Sequence, residues 1–164
     1  MPDYLQELVM QYGYLILYVS LTLGILGLPI PDEVLLTFVG YVASIGILSF
    51  YPAALIGFLG AMSGMTLSYF IGRKVGRPLL WRHGKWLKLS PKRLKKTEEW
   101  FSRFGLWTVS FGYFIPGFRH FPCYLSGISK IPLRRYFLYA AFGALLWCLF
   151  FITIGYLIGD TLDF

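Results

Sequence analysis

Arg119 stands inside a hydrophobic run. From Phe104 to Ile131 its only charged companion is Lys130, and the break Pro116-Gly117 comes just before it, in Gly112-Tyr113-Phe114-Ile115-Pro116-Gly117-Phe118-Arg119-His120. A guanidinium at the centre of a bilayer costs about 3 kcal/mol or more on insertion scales. The backbone groups freed by a proline are tolerated at that depth only where protein or water covers them. The composition makes this a membrane problem, since 57% of the 164 residues are hydrophobic and only 14% charged. An aromatic share of 20% suits lipid-facing and interfacial surface.

A second interruption divides the earlier run from Tyr14 to Leu48, at Leu28-Pro29-Ile30-Pro31-Asp32-Glu33. Its arms, Tyr14–Leu28 and Val34–Leu48, would each reach about 22 Å as helices, short of a hydrocarbon core of about 30 Å. They are expected to form a re-entrant hairpin, preceded by a short interfacial amphipathic helix over 3–12. The arms of the second run, Leu106–Ile115 and Phe118–Ile131, are shorter still. Pro52–Gly72 and Tyr136–Ile158, by contrast, contain no charge and are long enough to span. Gly60 and Gly64 form a Gly-x-x-x-Gly that permits close helix approach.

Charge is localised. Of 15 Lys and Arg, 11 lie between Arg73 and Arg103, which puts that loop in the cytoplasm by the positive-inside tendency. Within it, Ser90-Pro91 starts an amphipathic helix that Gly105 caps, with Trp100, Phe101 and Phe104 at headgroup level. The basicity serves orientation and anionic headgroups, and no nucleic-acid partner is expected. Asp3 and Glu7 precede any Lys or Arg, so the N-terminus lacks a signal peptide's basic region. Cys123 and Cys148 read as packing residues. No metal, cofactor, phosphate loop or nucleophile–His–acid set is indicated.

A shift of 87 residues aligns Pro29 with Pro116, Gly40 with Gly127, Ala53-Ala54 with Ala140-Ala141, Tyr69 with Tyr156 and Ile71-Gly72 with Ile158-Gly159. The expected fold is thus an all-α integral membrane protein. It is an inverted repeat of a re-entrant hairpin plus a transmembrane helix, with interfacial amphipathic helices, in one domain over 1–164. Repeat A covers about 14–76, the basic loop and amphipathic helix 73–104, and repeat B about 105–160. Such broken helices are where transporters place binding sites. In this register Asp32 stands opposite Arg119 and Glu33 opposite His120.

Arg119 keeps its charge, and its planar fork matches phosphate oxygens. It is the leading candidate for an anionic headgroup, with Glu33 or Asp32 as titratable partner, His120 as proton relay or phosphate ligand, and Tyr113 lining the cavity. Two other readings stay open. One is a structural Arg–acid pair fastening two hairpins, and the other is a first hairpin that spans fully and leaves Asp32 and Glu33 among the headgroups.

Three stretches then carry a resemblance: Leu28-Pro29-Ile30-Pro31-Asp32-Glu33-Val34-Leu35-Leu36, the span end Gly64 to Tyr69-Phe70-Ile71-Gly72-Arg73 and Gly76, and Gly112 to Arg119. In that order they resemble the DedA family, the SNARE-associated or VTT domain, over roughly residues 10–160. The resemblance implies a multi-pass transporter of the bacterial inner membrane with two facing re-entrant hairpins. Its lipid would be undecaprenyl phosphate or phosphatidylethanolamine, moved as by a flippase or scramblase in dependence on the proton-motive force. It maps the family's acid to Glu33 and its arginine to Arg119. Many members have a second arginine where this chain has Tyr113, and a lone arginine among tyrosines suits a zwitterionic phospholipid head equally well. Two other functions remain in play. A membrane-embedded lipid-phosphate enzyme would use His120 as its acid–base group. A non-transporting membrane-organising protein, or a homo-oligomer, would use the Gly60/Gly64 face.

Overall fold

The computed structural model describes residues 3–26, 30–76, 78, 92, 95, 99, 101, 103–112, 114–115 and 120–162. Among these, the regular elements are helical: α1 (Asp3–Ile25), α2 (Asp32–Ser44), α3 (Phe50–Ile71) with a π-helical turn (Gly72–Gly76), α4 (Trp107–Gly112), α5 (His120–Ile128) and α6 (Leu133–Leu162). Segments of α1, α3 and α6 are long and apolar enough to cross a membrane: Glu7–Ile25, Phe50–Gly76 and Leu133–Thr161. Their exposed large side chains, among them Leu15, Val19, Leu55, Leu138 and Leu157, would carry a heavy hydration cost in water and suit lipid. The contacts divide the chain into two compact units, one of Met1–Gly64 with Ala144–Phe164 and the other of Met65–Gly143.

In the first unit, α1 corrects an expectation. The interfacial helix over 3–12 and the arm from Tyr14 are one unbroken helix, about 34 Å long at 1.5 Å per residue. No proline falls between Asp3 and Ile25. At Gly13, where the two pieces were expected to part, an added Cβ would meet the Leu48 methyls at 3.6 Å. Leu17, Leu21 and Ile25, each four residues on from the last, are buried. That stripe lies on α3: a side chain at Gly60 would stand 2.9 Å from the Tyr18 carbonyl oxygen, and one at Gly64 2.9 Å from that of Thr22. The Thr22 hydroxyl also donates to the Gly60 carbonyl at 3.2 Å. The Gly60/Gly64 face is therefore occupied by α1 of the same chain, which removes it as a surface for assembly. The first unit's second element, α2, starts directly after Pro31, whose φ of −77° is helix-compatible and whose carbonyl accepts from the Leu35 amide. It ends at Gly46, φ +78°, where the Ile47 amide bonds back to Val42.

In the second unit, α4 and α5 are 6 and 9 residues long, about 9 and 14 Å. Neither could cross, as their sequence predicts. The Ser110 hydroxyl donates to the Tyr139 carbonyl at 2.6 Å, and Gly143 lets α6 approach the Ser110 backbone. Gly105 has the left-handed φ of +63° expected of a cap, and its amide reaches the Phe101 carbonyl at 2.8 Å. The Ser90-Pro91 start lies outside the described residues.

Both units build the same seam between a short helix and a long one. In the first, Gly40 of α2 lies against the Ile152 carbonyl of α6, Gly155 against the Thr37 carbonyl, and Gly159 against Tyr41 and Ser44. In the second, Gly127 of α5 lies against the Tyr69 carbonyl of α3, Gly72 against the Tyr124 carbonyl, and Gly76 against Ile128. Each glycine brings its backbone to a place where a Cβ would collide, so close packing replaces side-chain interdigitation. The short helices correspond at a shift of 87, as aligned above, but the long helices correspond at 83. Tyr69 therefore matches Ile152, not Tyr156.

Candidate functional site

The break at Pro31 positions the two acids of α2. They occupy its first turn, where the helix dipole favours negative charge. Successive helical residues diverge by about 100°, and the neighbours separate accordingly. Asp32 is fully buried, with its carboxylate against Gly24 of α1, where even a methyl group would fall on both oxygens. Gly24 went unnoticed in the sequence because nothing local marks it. Only the return of the chain at Pro31 brings the carboxylate there.

Glu33 is half-buried and faces elsewhere. It lines a groove of about 420 Å³ between α2 and α6, with Val34, Phe38, Tyr41, Phe151 and Ile158 as its apolar walls. The Glu33 backbone carbonyl accepts from the Thr37 hydroxyl at 2.7 Å. A second groove of about 320 Å³ lies between α1 and α2, lined by Leu8, Leu17, Phe38, Val42 and Leu48 among others. Both volumes fall in the usual range for ligand sites. A carboxylate beside an apolar channel offers a polar end and a hydrocarbon wall together, which is the chemistry of an amphiphile.

Arg119, Tyr113, Pro29, Pro116 and Gly117 lie outside the described residues. His120 opens α5, and its side chain lies outside them too. Of the candidate residues, the structure thus describes Asp32, Glu33 and Pro31 in one unit and the backbone of His120 in the other. Cys123 and Cys148 are buried free thiols, in keeping with a packing role.

The VTT-domain model matches residues 30–157, a stretch that runs from the Pro31 break past Gly155 of α6. The chain belongs to the VTT-domain family, also called DedA. Among family relatives it is 50% identical over 157 residues to "Uncharacterized membrane protein YbfM" of Bacillus subtilis, covering 96% of this chain and 97% of that one. It is 30% identical over 146 residues to "Undecaprenyl phosphate transporter A" of the same organism, covering 89% and 74%. It is also 28% identical to "Alkaline phosphatase-like protein" of Lactococcus lactis subsp. cremoris, covering 98% and 77%. No solved structure matches the chain. This VTT-domain chain is a membrane protein.

Proposed function

We propose that this protein moves a phosphate-bearing lipid, such as undecaprenyl phosphate or phosphatidylethanolamine, between the leaflets of the bacterial cell membrane. The observation that carries the reading is a wholly buried carboxylate at the mouth of a broken helix in a VTT-domain chain. Burying Asp32 at membrane depth costs about 3 kcal/mol, a burden that pure packing could avoid with an apolar residue. The 30% identity to a protein named as an undecaprenyl phosphate transporter supports the same class of cargo.

In this reading α2 and α5, about 20 and 14 Å long, are legs of two re-entrant hairpins that enter from opposite faces. The matching glycine seams support an internal repeat. Arg119 takes the phosphate, Asp32 and Glu33 are its counter-charges, and the groove beside Glu33 guides the hydrocarbon tail. The basic loop over 73–103 faces the cytoplasm. The protein is a transporter, not an enzyme.

The test is reconstitution into vesicles with labelled lipid in one leaflet. The wild-type protein should equilibrate the label, and Arg119→Ala should slow it at least about tenfold. Equal rates would remove this mechanism. Replacing Glu33 by Gln and repeating the assay across pH tests proton coupling, which predicts a flattened pH dependence. Release of inorganic phosphate from a lipid phosphate would instead favour a lipid-phosphate enzyme.

A further inference from the structure

The second unit holds a basic corner that the transport reading does not use. At the end of α3, Arg73 donates through Nη1 to the Tyr69 hydroxyl at 2.6 Å, and its guanidinium carbon stands 5.9 Å from the centre of the Tyr69 ring. Tyr69 is itself immobilised. It is fully buried, donates to the Ile131 carbonyl at 2.5 Å, and stacks on Tyr136 with ring centres 4.7 Å apart. Tyr136, also fully buried, donates to the Met65 carbonyl at 3.0 Å.

This chain of bonds ties Arg73 to the turn joining α5 to α6, and that turn is basic as well. Lys130 adjoins Ile131, Arg134 and Arg135 follow it, and Lys74 follows Arg73. All five cations are exposed. No Asp or Glu occurs over 65–97 or 100–143, so neither strand of this corner brings an acid.

Three features set the corner apart from an ordinary solvated charge run. Arg73 is held in place, so its ordering entropy is already spent, and a guanidinium's five N–H donors lose only one to Tyr69. Lys130 has a φ of +54° at the position closing α5, where the Ile131 amide bonds back to Ser126. That position normally takes glycine, and a lysine there is strained. Arg134 and Arg135 stand in the first turn of α6, the helix end whose dipole disfavours cations. The corner also lies where two membrane-length helices end, at Gly76 and Leu133.

We infer that Arg73, Lys130, Arg134 and Arg135 form a binding surface for the phosphodiester headgroup of an anionic phospholipid, with Arg73 as the pre-set fork. The site is separate from Arg119 and does not depend on transport. Lys74, exposed beside Arg73, adds charge to this surface.

The experiment is native mass spectrometry of the detergent-solubilised full chain titrated with phosphatidylglycerol, phosphatidylcholine or inorganic phosphate. The wild type should retain phosphatidylglycerol over phosphatidylcholine. Arg73→Gln and the double variant Arg134→Gln/Arg135→Gln should each lower that retention about fivefold or more, since each cation near an anionic surface is worth about 1 kcal/mol. The equally charged double variant Lys92→Gln/Lys95→Gln, altered at exposed positions elsewhere, should change it less than about twofold. Tyr69→Phe should weaken retention with no change in charge.

Equal losses in the two double variants would overturn the inference, because bulk charge would then suffice. Inorganic phosphate displacing the lipid at equal concentration would overturn the assignment to a headgroup in favour of a free-anion site. Should Arg73→Gln fail to fold in detergent, the exposed Arg134/Arg135 pair carries the test alone.

Discussion

The two units use the same seam and opposite charge. Each closes a short helix on a long one by three glycine approaches, yet the unit of Met1–Gly64 with Ala144–Phe164 has six acids and no Lys or Arg. The unit of Met65–Gly143 holds all 15 Lys and Arg and two acids. Backbone packing is thus the shared element, and it is indifferent to charge because glycine and carbonyl contacts carry none. What differs is what each unit can hold: a buried carboxylate beside an apolar groove in one, a fixed guanidinium in a cation-rich corner in the other.

The comparison can be broken most sharply at the seams. Gly155→Leu and Gly72→Leu should each destabilise the protein by at least about 3 kcal/mol, and to a similar extent, because each drives a side chain into a carbonyl. Thermal unfolding in detergent reads this. Tolerance of one but not the other would show that the seams are not equivalent.

The next effect belongs to the first unit alone. Asp32→Asn keeps the shape at Gly24 and should leave folding near wild type while slowing lipid movement at least about tenfold in the vesicle assay. Gly24→Ala should reproduce part of that defect by displacing the carboxylate, whereas Gly57→Ala, where the nearest atoms lie 3.4 Å or more from a new methyl, should not.

A smaller effect belongs to the second unit. Tyr69→Phe deletes the donor to Ile131 and the acceptor for Arg73, a loss of about 1–3 kcal/mol in unfolding free energy. Its counterpart, Ile152→Val, removes one methyl and should cost about 1 kcal/mol by the same measurement. Smallest of all, Lys92→Gln should shift stability by less than about 0.5 kcal/mol. A larger shift would mean that the basic stretch does more than carry charge.

The sequence disclosed what periodicity and proline report. Pro52–Gly72 and Tyr136–Ile158 lie within α3, its π-helical turn and α6, and the proline break at Pro31 does start α2. Helix continuity through Gly13 was hidden, because an interior glycine costs a helix only about 1 kcal/mol, and whether packing offsets that is not written in the local sequence. The register of the long helices was hidden for another reason. Apolar helices repeat their buried face about every four residues, so a slip of one turn preserves the pattern, and Tyr69 aligns by identity with Tyr156 while packing like Ile152. Asp32 and Glu33 were legible as a pair. Which of them turns inward was not, since that depends on where α1 returns and on the room left by Gly24.

The seam of the first unit has a consequence for how the protein is made. Its short helix, α2, is complete by Ser44, but its glycine partners, Gly155 and Gly159, come more than a hundred residues later. The second unit's pieces emerge in one continuous stretch. During synthesis α2 must therefore wait, with Gly40 uncovered, until the last turns of α6 leave the ribosome. The N-terminal unit is the last to close.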